Sequence, residues 1–486
     1  MSMVFKASDI SANDKVKIDR LLTLRSETKQ KGLPVFGIPF KGYLISEDKY
    51  WISVPLYFGM TSPLFKNATP YDFSENQSIR SRLVFKADLE ENEKRDQISA
   101  MKEADGYVKQ YNTVSLSMRT GFGKTICGYY QVCQVKLRTL IVVCRSPLLE
   151  GWLNECKNVT QANVMIFDGK KPITEKIDVV ICMIGQVEKI PGDILQTFGT
   201  LVIDEAVDFC TEQRLHVLLL LHPQYIISST ATPTRPDKLH SILHLLAGTH
   251  SVVRTNQTPF TVVRLNTGIT PAVLMTDQGA DWNFIQYDLF LSEQRNLAIL
   301  DCLMANHEEH KIVLLTAFEI HVDILVGLCK ILGLDVARYC GSQDTYENAR
   351  ILIGTTKKIG VGFDEKNKCA TFDGIRIDLL VLVCSTKQEE AVAQFTGRTF
   401  RAEFPNVIHF VDKDKRIQGN HWPHAKKWYE KSKGEILISD WSPSGVIDLK
   451  IFHEAHEVLR SIALEKMREK EIKTGKRISY LEYLDK

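Results

Sequence analysis

Residues 115–127 read Ser115-Leu116-Ser117-Met118-Arg119-Thr120-Gly121-Phe122-Gly123-Lys124-Thr125-Ile126-Cys127, a strand-like run that enters a glycine loop ending in Gly-Lys-Thr. Glycines let backbone N–H groups converge on phosphate oxygens, Lys124 can reach the β- and γ-phosphates, and the Thr125 hydroxyl suits Mg²⁺. The stretch therefore predicts an ATP site in which Thr120, Gly121, Phe122, Gly123, Lys124 and Thr125 hold the nucleotide. The full phosphate-loop form has glycine where this chain has Met118, and a Gly-Lys-Thr alone also occurs where a loop simply opens a helix. The neighbouring segments decide between the two.

Further along, the β-branched run Thr200-Leu201-Val202-Ile203 delivers Asp204-Glu205-Ala206-Val207-Asp208. Apolar residues feeding a carboxylate pair place both acids at the C-terminal end of a strand, where open α/β sheets bind ligands. Asp204 suits Mg²⁺ and Glu205 suits polarisation of an attacking water, the two tasks of phosphoanhydride hydrolysis. An acidic pair after a strand also serves as a helix N-cap, but the partnership with Lys124 favours catalysis. A third segment, Ser229-Thr230-Ala231-Thr232-Pro233-Thr234-Arg235, follows another strand and offers hydroxyls, at Thr230 and Thr232, able to sense the γ-phosphate. Far downstream lies Gln394-Phe395-Thr396-Gly397-Arg398-Thr399-Phe400-Arg401. Its two arginines, about one helical turn apart, are expected to point together at a phosphate.

The rest of the chain frames these segments. At roughly 150 residues per domain, 486 residues suggest about three domains, and 44% apolar with 25% charged residues is ordinary globular composition. A formal charge of +2 neither advertises nor excludes a polyanion, so any nucleic-acid site must be a local groove. Eleven cysteines lack CxxC pairs and read as reduced, mostly buried thiols. The N-terminus reaches charge before any apolar core of a secretory signal, and the run Leu215–Ile227 falls short of the ~20 residues of a membrane span. Localisation is expected to be intracellular, with no membrane partner.

Residues 1–92 form a first module with a β-hairpin in which Tyr43-Leu44-Ile45 and the alternation Tyr50, Ile52, Val54, Leu56, Phe58 flank a polar turn. Its Tyr43, Tyr50, Trp51 and Tyr57 suit either a module core, which is favoured, or base stacking. From 93 to 255, short β-branched runs alternate with helical segments: Leu140–Cys144, Val179–Met183, Thr200–Ile203 and Tyr225–Ser228. A second set follows at Ile312–Thr316, Ile351–Gly354, Leu379–Val383 and Val407–Val411. This predicts α/β architecture, two parallel-sheet domains in tandem over 93–255 and 256–425, with 249–290 as a linker or insertion. Residues 426–486 are expected to be a helical extension with the stripe Phe452, Ala455, Leu459, Ile462 packed on the second domain. His453 and His456 are three apart, one short of zinc-binding helical spacing, and read as a solvated face.

In this order and spacing, the phosphate loop, Asp204-Glu205, Ser229-Thr230-Ala231-Thr232 and Gln394–Arg401 resemble the superfamily 2 helicases of the DExH type. The resemblance covers roughly residues 93–415 and implies two tandem RecA-like domains. It implies an adenine-reading role for Gln97, backbone contacts to nucleic acid by Arg145, Ser146, Gly185 and Gln186, and the same by Thr355 and Thr356. It implies nucleotide contacts by Gly362 and Asp364, coupling through Thr230, Thr232 and Gln394, and charge neutralisation by Arg398 and Arg401. Within the superfamily the chain is similar to helicases of large DNA viruses, including the poxvirus helicase tied to transcript release, and to phage helicases that remodel branched DNA. That likeness rests on the short N-terminal module, Thr-Gly-Phe-Gly-Lys-Thr, Glu293-Gln294-Arg295-Asn296 and overall size. It implies ATP and Mg²⁺ as cofactors, DNA rather than RNA as substrate, viral transcription or replication machinery as context, host cytoplasm, nucleus or virion as location, and a monomer.

One departure stands out. The fourth position of Asp-Glu-Ala-x is His or Asp in such families and is Val207 here, which cannot hydrogen-bond toward Thr230 or Thr232. Three rivals follow: a phosphate-loop kinase or GTPase, which leaves Gln394–Arg401 unexplained; a translocase that does not unwind; and an ATP-gated binding or transcript-release factor with weak strand separation.

Overall fold

The computed structural model describes every residue except 31, 32, 94, 120, 232, 233, 236, 256, 257, 278, 361, 362 and 486, and the side chains of 29 and 30. The chain divides into two compact units, residues 1–255 and 256–486.

The first unit opens with a three-stranded antiparallel sheet of β1 (Ser2–Lys6), β2 (Leu44–Ile45) and β3 (Trp51–Pro55), in the order β1-β3-β2. The expected hairpin is present, with Leu44 opposite Ser53 and the Ser46 hydroxyl accepting the Trp51 amide at 2.9 Å. Its second strand stops at Pro55, and Leu56 and Phe58 lie instead in a short helix, Leu56–Thr61. Proline has no N–H for a ladder but fits the position before a first helical turn. The aromatic residues mostly pack internally: Trp51 lies edge-on to Tyr71, Tyr57 contacts Tyr111 and His250, and the Tyr43 hydroxyl donates to Asp19.

The main sheet of this unit is built from β4 (Thr113–Met118), β5 (Thr139–Val143), β6 (Val164–Phe167), β7 (Val179–Met183), β8 (Thr200–Asp204), β9 (Tyr225–Thr230) and β10 (Ser251–Arg254). All pairings are parallel and the order is β6-β7-β5-β8-β9-β4-β10. Every residue of β5 and β8 is buried, as helices on both faces of a parallel sheet require. Two of those helices, Lys124–Val135 and Pro147–Val159, approach closely where Gly128 meets Trp152: a Cβ at 128 would stand 2.8 Å from the indole ring.

The second unit repeats the plan with β11 (Phe260–Asn266), β12 (Ile312–Thr316), β13 (Val336–Tyr339), β14 (Ile351–Thr355), β15 (Leu379–Leu382), β16 (Asn406–Val411) and β17 (Gly434–Asp440). The order is β13-β14-β12-β15-β16-β11-β17, again parallel throughout. Two expectations change here. The 249–290 stretch is no structureless linker: it supplies β10, β11 and the helix Trp282–Leu291. The C-terminal part is helical to Lys431, in the helix Trp422–Lys431, and again from Leu449, but between them runs β17, an edge strand on β11 with mostly exposed side chains.

The helix Leu449–Thr474 is N-capped by Asp448 and buries Phe452, His456, Ala463 and Met467. Its packing stripe differs from the expected one at Ile462, which is exposed, because the helix meets its neighbour Glu319–Ile331 along the Phe452–Leu459–Ala463 face. Gly327 permits this approach, since a Cβ there would lie 2.8 Å from Leu459. His456 is likewise buried rather than solvated, hydrogen-bonded to the Asn296 amide nitrogen at 3.0 Å, while His453 is exposed and paired with Glu293. Arg295 and Asp412 form a fully buried ion pair at 3.0 Å that ties the Glu293–Asn296 helix start to the end of β16. All eleven cysteines are free, nine of them buried.

Candidate functional site

In the first unit, β4 ends at Met118 and the chain turns through Gly121 (φ 80°) and Gly123 (φ 101°) into the helix that starts at Lys124. Both glycines occupy the left-handed region that a side chain resists, and a Cβ at 123 would also stand 2.5 Å from Gln97 Nε2. The loop thus presents backbone N–H groups and a helix N-terminus to one place. Lys124 Nζ lies 3.4 Å from the Met118 carbonyl and 4.0 Å from Glu205 Oε1. Gln97 is buried beneath the loop: its Nε2 donates to the Phe122 carbonyl at 2.7 Å and its Oε1 accepts the Glu90 amide at 2.9 Å. In this arrangement its carboxamide braces the loop. Thr120 lies outside the described residues.

Asp204 ends β8 and its carboxylate is held by three donors. Trp152 Nε1 donates to Oδ2 at 2.8 Å; Ser229 Oγ at 2.6 Å and the Glu205 amide at 3.0 Å donate to Oδ1. Ser229 is there because β8 and β9 pair in a register that sets Asp204 opposite Ser229. Neither Trp152 nor Ser229 stood among the expected site residues. Only strand order and helix packing reveal them, although a buried tryptophan N–H always needs a partner.

Glu205 has φ 52° and ψ 54°, a left-handed conformation in a non-glycine residue. Such backbone costs of order 1–3 kcal/mol and concentrates at functional sites. Burial raises the Glu205 pKa; Lys124 opposes that shift, and the charges of Asp204 and Asp208 reinforce it. A carboxyl so placed takes up protons more readily than an ordinary glutamate, as a general base near neutral pH should. The Asp204 carboxylate and the Thr125 hydroxyl are the hard oxygen types that Mg²⁺ takes, and they neighbour in sequence the two residues, Glu205 and Lys124, that stand 4.0 Å apart.

Around this centre, Arg145 Nε and Nη2 both reach Asp208 Oδ2, at 3.2 and 3.1 Å, on an exposed edge. Ser146 precedes the helix Pro147–Val159 without capping it, and Gly185 and Gln186 sit in the 3₁₀ turn Ile184–Lys189 that follows β7. Thr230 closes β9 and is buried; Thr232 lies outside the described residues.

In the second unit, Thr355 ends β14 and caps the short helix Thr356–Ile359 by accepting the Lys358 amide at 3.3 Å. Gln394 is half-buried on the helix Glu389–Thr396. That helix stops at Gly397, so the two arginines do not share a helical face as their spacing suggested. Arg398 is buried, with Nη1 and Nη2 donating to the carbonyls of Phe363 (2.8 Å) and Gly360 (2.5 Å). Arg401 is partly exposed and pairs with Asp364 at 3.3 Å and Glu365 at 3.9 Å. Arg376 joins the same acids at 3.1 and 3.2 Å. Burial alone would raise the Asp364 pKa, but Arg401 and Arg376 outweigh it and hold the carboxyl below its ordinary range. Gly362 lies outside the described residues.

Known proteins resemble this chain over much of its length. Residues 89–235 match the family described as Type III restriction enzyme, res subunit. Protein 161L of Invertebrate iridescent virus 6, which carries a helicase name, is 29% identical over 386 residues, spanning 72% of this chain and 83% of its own length. A protein of Acanthamoeba polyphaga mimivirus named as an ATP-dependent RNA helicase is 23% identical over 356 residues, 70% of this chain and 66% of that protein. Among solved structures, a Dbp5 variant of S. cerevisiae bound to RNA and ADP BeF3 superposes with a TM-score of 0.51 at 14% identity, over 75% of this chain and 93% of the other. That likeness concerns the fold. No helix among the described residues is long and apolar enough to cross a membrane.

Proposed function

We propose that this chain, similar to helicase-named viral proteins over most of its length, is an ATP-dependent superfamily 2 helicase acting on DNA in viral transcription, replication or recombination. The observation that carries this reading is the convergence of Lys124, Asp204 and a left-handed Glu205 at the mouth of one glycine loop. Lys124, Thr125 and the amides of Gly121–Gly123 would hold the phosphates, and Thr125 with Asp204 the Mg²⁺. Once bound, Mg²⁺ and ATP supply a phosphoanhydride whose negative charge the metal shares. Asp204 is kept in position by Trp152 and Ser229. Glu205 accepts a proton from the attacking water at a carboxylate oxygen, and Lys124 steadies the charge that results.

Arg401 serves as the residue that neutralises charge developing on the γ-phosphate, exchanging its pairing with Asp364 and Glu365 for the phosphate. Arg398 acts on the 360–363 segment by fixing its carbonyls. Asp364 would contact the nucleotide. Arg145, Ser146, Gly185, Gln186, Thr355 and Thr356 grip the nucleic-acid backbone, a largely sequence-tolerant and salt-sensitive mode. Thr230, Thr232 and Gln394 couple hydrolysis to movement. We read residues 1–92 as an appendage to a motor core of 93–255 and 256–425, and 426–486 as an extension that adds β17 to the second sheet.

A strand-displacement assay tests the proposal. With ATP, a DNA duplex bearing a single-stranded tail is expected to separate, an RNA duplex to separate more slowly, and Lys124→Ala to separate neither. Val207 favours a second reading, an ATP-gated transcript-release factor. Release of a stalled transcript without displacement of either duplex would establish it in place of the first.

A further inference from the structure

Val207 leaves the motif without the side chain that would link it to the end of β9, and the structure places that side chain in the apolar core. Its carbonyl is engaged instead. Arg235 Nη1 donates to the Val207 oxygen at 3.1 Å, while Nε and Nη2 of the same guanidinium grip both carboxylate oxygens of Asp237 at 2.9 and 2.6 Å. The fork geometry fixes the arginine in one orientation. The Arg235 amide is also bonded to His240 Nδ1 at 3.1 Å.

The connection continues outward within the same unit. The Asp237 carbonyl accepts the Glu27 amide at 2.9 Å, and the Glu27 carboxylate pairs with Lys238. Glu27 begins an antiparallel hairpin, Glu27–Gln30 with Leu33–Phe36, in which it stands opposite Phe36. The return strand is exposed along its whole length, and Leu33, Phe36 and the following Ile38 present 70%, 48% and 90% of their surface to solvent. The Arg25 guanidinium lies 4.1 Å from the Phe36 ring. An unbroken path of hydrogen bonds therefore runs from the Asp204–Val207 strand end to the base of an exposed apolar hairpin.

We propose that Arg235, positioned by Asp237, supplies the coupling that residue 207 lacks, carrying a shift of the Glu205–Val207 turn to the hairpin at 27–36. Arg235 is a positioning residue in this scheme. It touches neither nucleotide nor reacting atoms. The path transmits because each link is short and directional: the 3₁₀ turn Ala206–Phe209 is closed by the Asp208 amide on the Glu205 carbonyl at 2.8 Å, the guanidinium fork admits little rotation, and Glu27 is held from both its amide and its carboxylate. The inference rests on the nucleotide reading above.

Hydrogen exchange measured by mass spectrometry on the full chain, with and without Mg²⁺ and a non-hydrolysable ATP analogue, tests it. In the wild type, nucleotide should slow exchange in the loop 121–128 and, by about fivefold, in the hairpin amides of 27–38. Arg235→Met should keep the loop response and lose the hairpin response; Arg235→Lys, which keeps charge without the fork, should retain part of it. Asp237→Asn provides the same test should Arg235→Met fail to fold. A purely structural arginine would change hairpin exchange equally in both states and leave the nucleotide-dependent difference intact, which overturns the proposal. A responsive loop with an indifferent hairpin in the wild type also overturns it alone. A silent loop overturns the nucleotide reading, and the relay with it.

Discussion

The two units share one strand order in their main sheets, with the third, fourth, second, fifth, sixth, first and seventh strands of each side by side, yet their candidate site residues are held in opposite ways. In the first unit, Asp204 is oriented by three donors while Glu205 is strained and its nearest cation stands 4.0 Å away. In the second, Arg398 is bound to two carbonyls and Arg401 to two acids. A shared scaffold does not settle the chemistry; the partners available to each side chain decide whether it is poised or already satisfied.

The comparison can be broken most forcefully at its two catalytic candidates. Glu205→Gln and Arg401→Ala are each expected to cut ATP turnover about a thousandfold. They should differ in stability. Because burial raises the Glu205 pKa, folding penalises its ionised form; Glu205→Gln should therefore raise the melting temperature at pH 8, with the gain vanishing below the ordinary glutamate value of 4.5, where the carboxyl is protonated in both states. A Glu205→Gln protein that melts lower at pH 8 than the wild type would show the site to be unstrained.

Arg398→Ala sharpens the contrast within the second unit. Loss of two charged hydrogen bonds to buried carbonyls should cost about 3 kcal/mol in denaturant unfolding, whereas Arg401→Ala, whose two acids keep Arg376 as a partner, should cost under about 1 kcal/mol. Equal losses would contradict the division of roles.

A smaller effect is expected at Trp152. Trp152→Phe keeps the ring but removes the donor to Asp204, and should raise the Mg²⁺ concentration for half-maximal turnover about tenfold while leaving metal-free nucleotide binding unchanged. The smallest is a pH effect. Since the Asp208 charge helps raise the Glu205 pKa, Asp208→Asn should move the acidic limb of the pH–rate profile to lower pH. A limb that stays put would remove Asp208 from the electrostatics of the site.

Much of this was legible in the sequence where apolar runs are long and feed distinctive residues. β5, β7, β8, β12 and β15 stand out because both their faces are buried, so they read as continuous β-branched or leucine-rich segments. The edge strand β17 does not, because its apolar run is only Ile436–Ile438, flanked by Glu435, Ser439 and Asp440. β10 and β11 were hidden differently: they flank the chain segment that passes from one unit to the next, and charged or polar residues such as Arg254, Arg264 and Asn266 interrupt them. At the site, Lys124, Asp204 and Glu205 were readable from local spacing. Ser229 and Trp152 were not, because one depends on which strands are neighbours and the other on how a helix packs across the sheet. The spacing of Arg398 and Arg401 suggested a shared face, but Gly397 ends the helix before either arginine.

Steady-state ATP hydrolysis with single-stranded DNA, double-stranded DNA or RNA, for the wild type beside Glu205→Gln and Arg401→Ala, tests the central claim most directly. The account predicts that DNA stimulates the wild type more than RNA does and that both variants lose the stimulated turnover. Turnover that stays flat with every polymer, or that survives in Arg401→Ala, would contradict it.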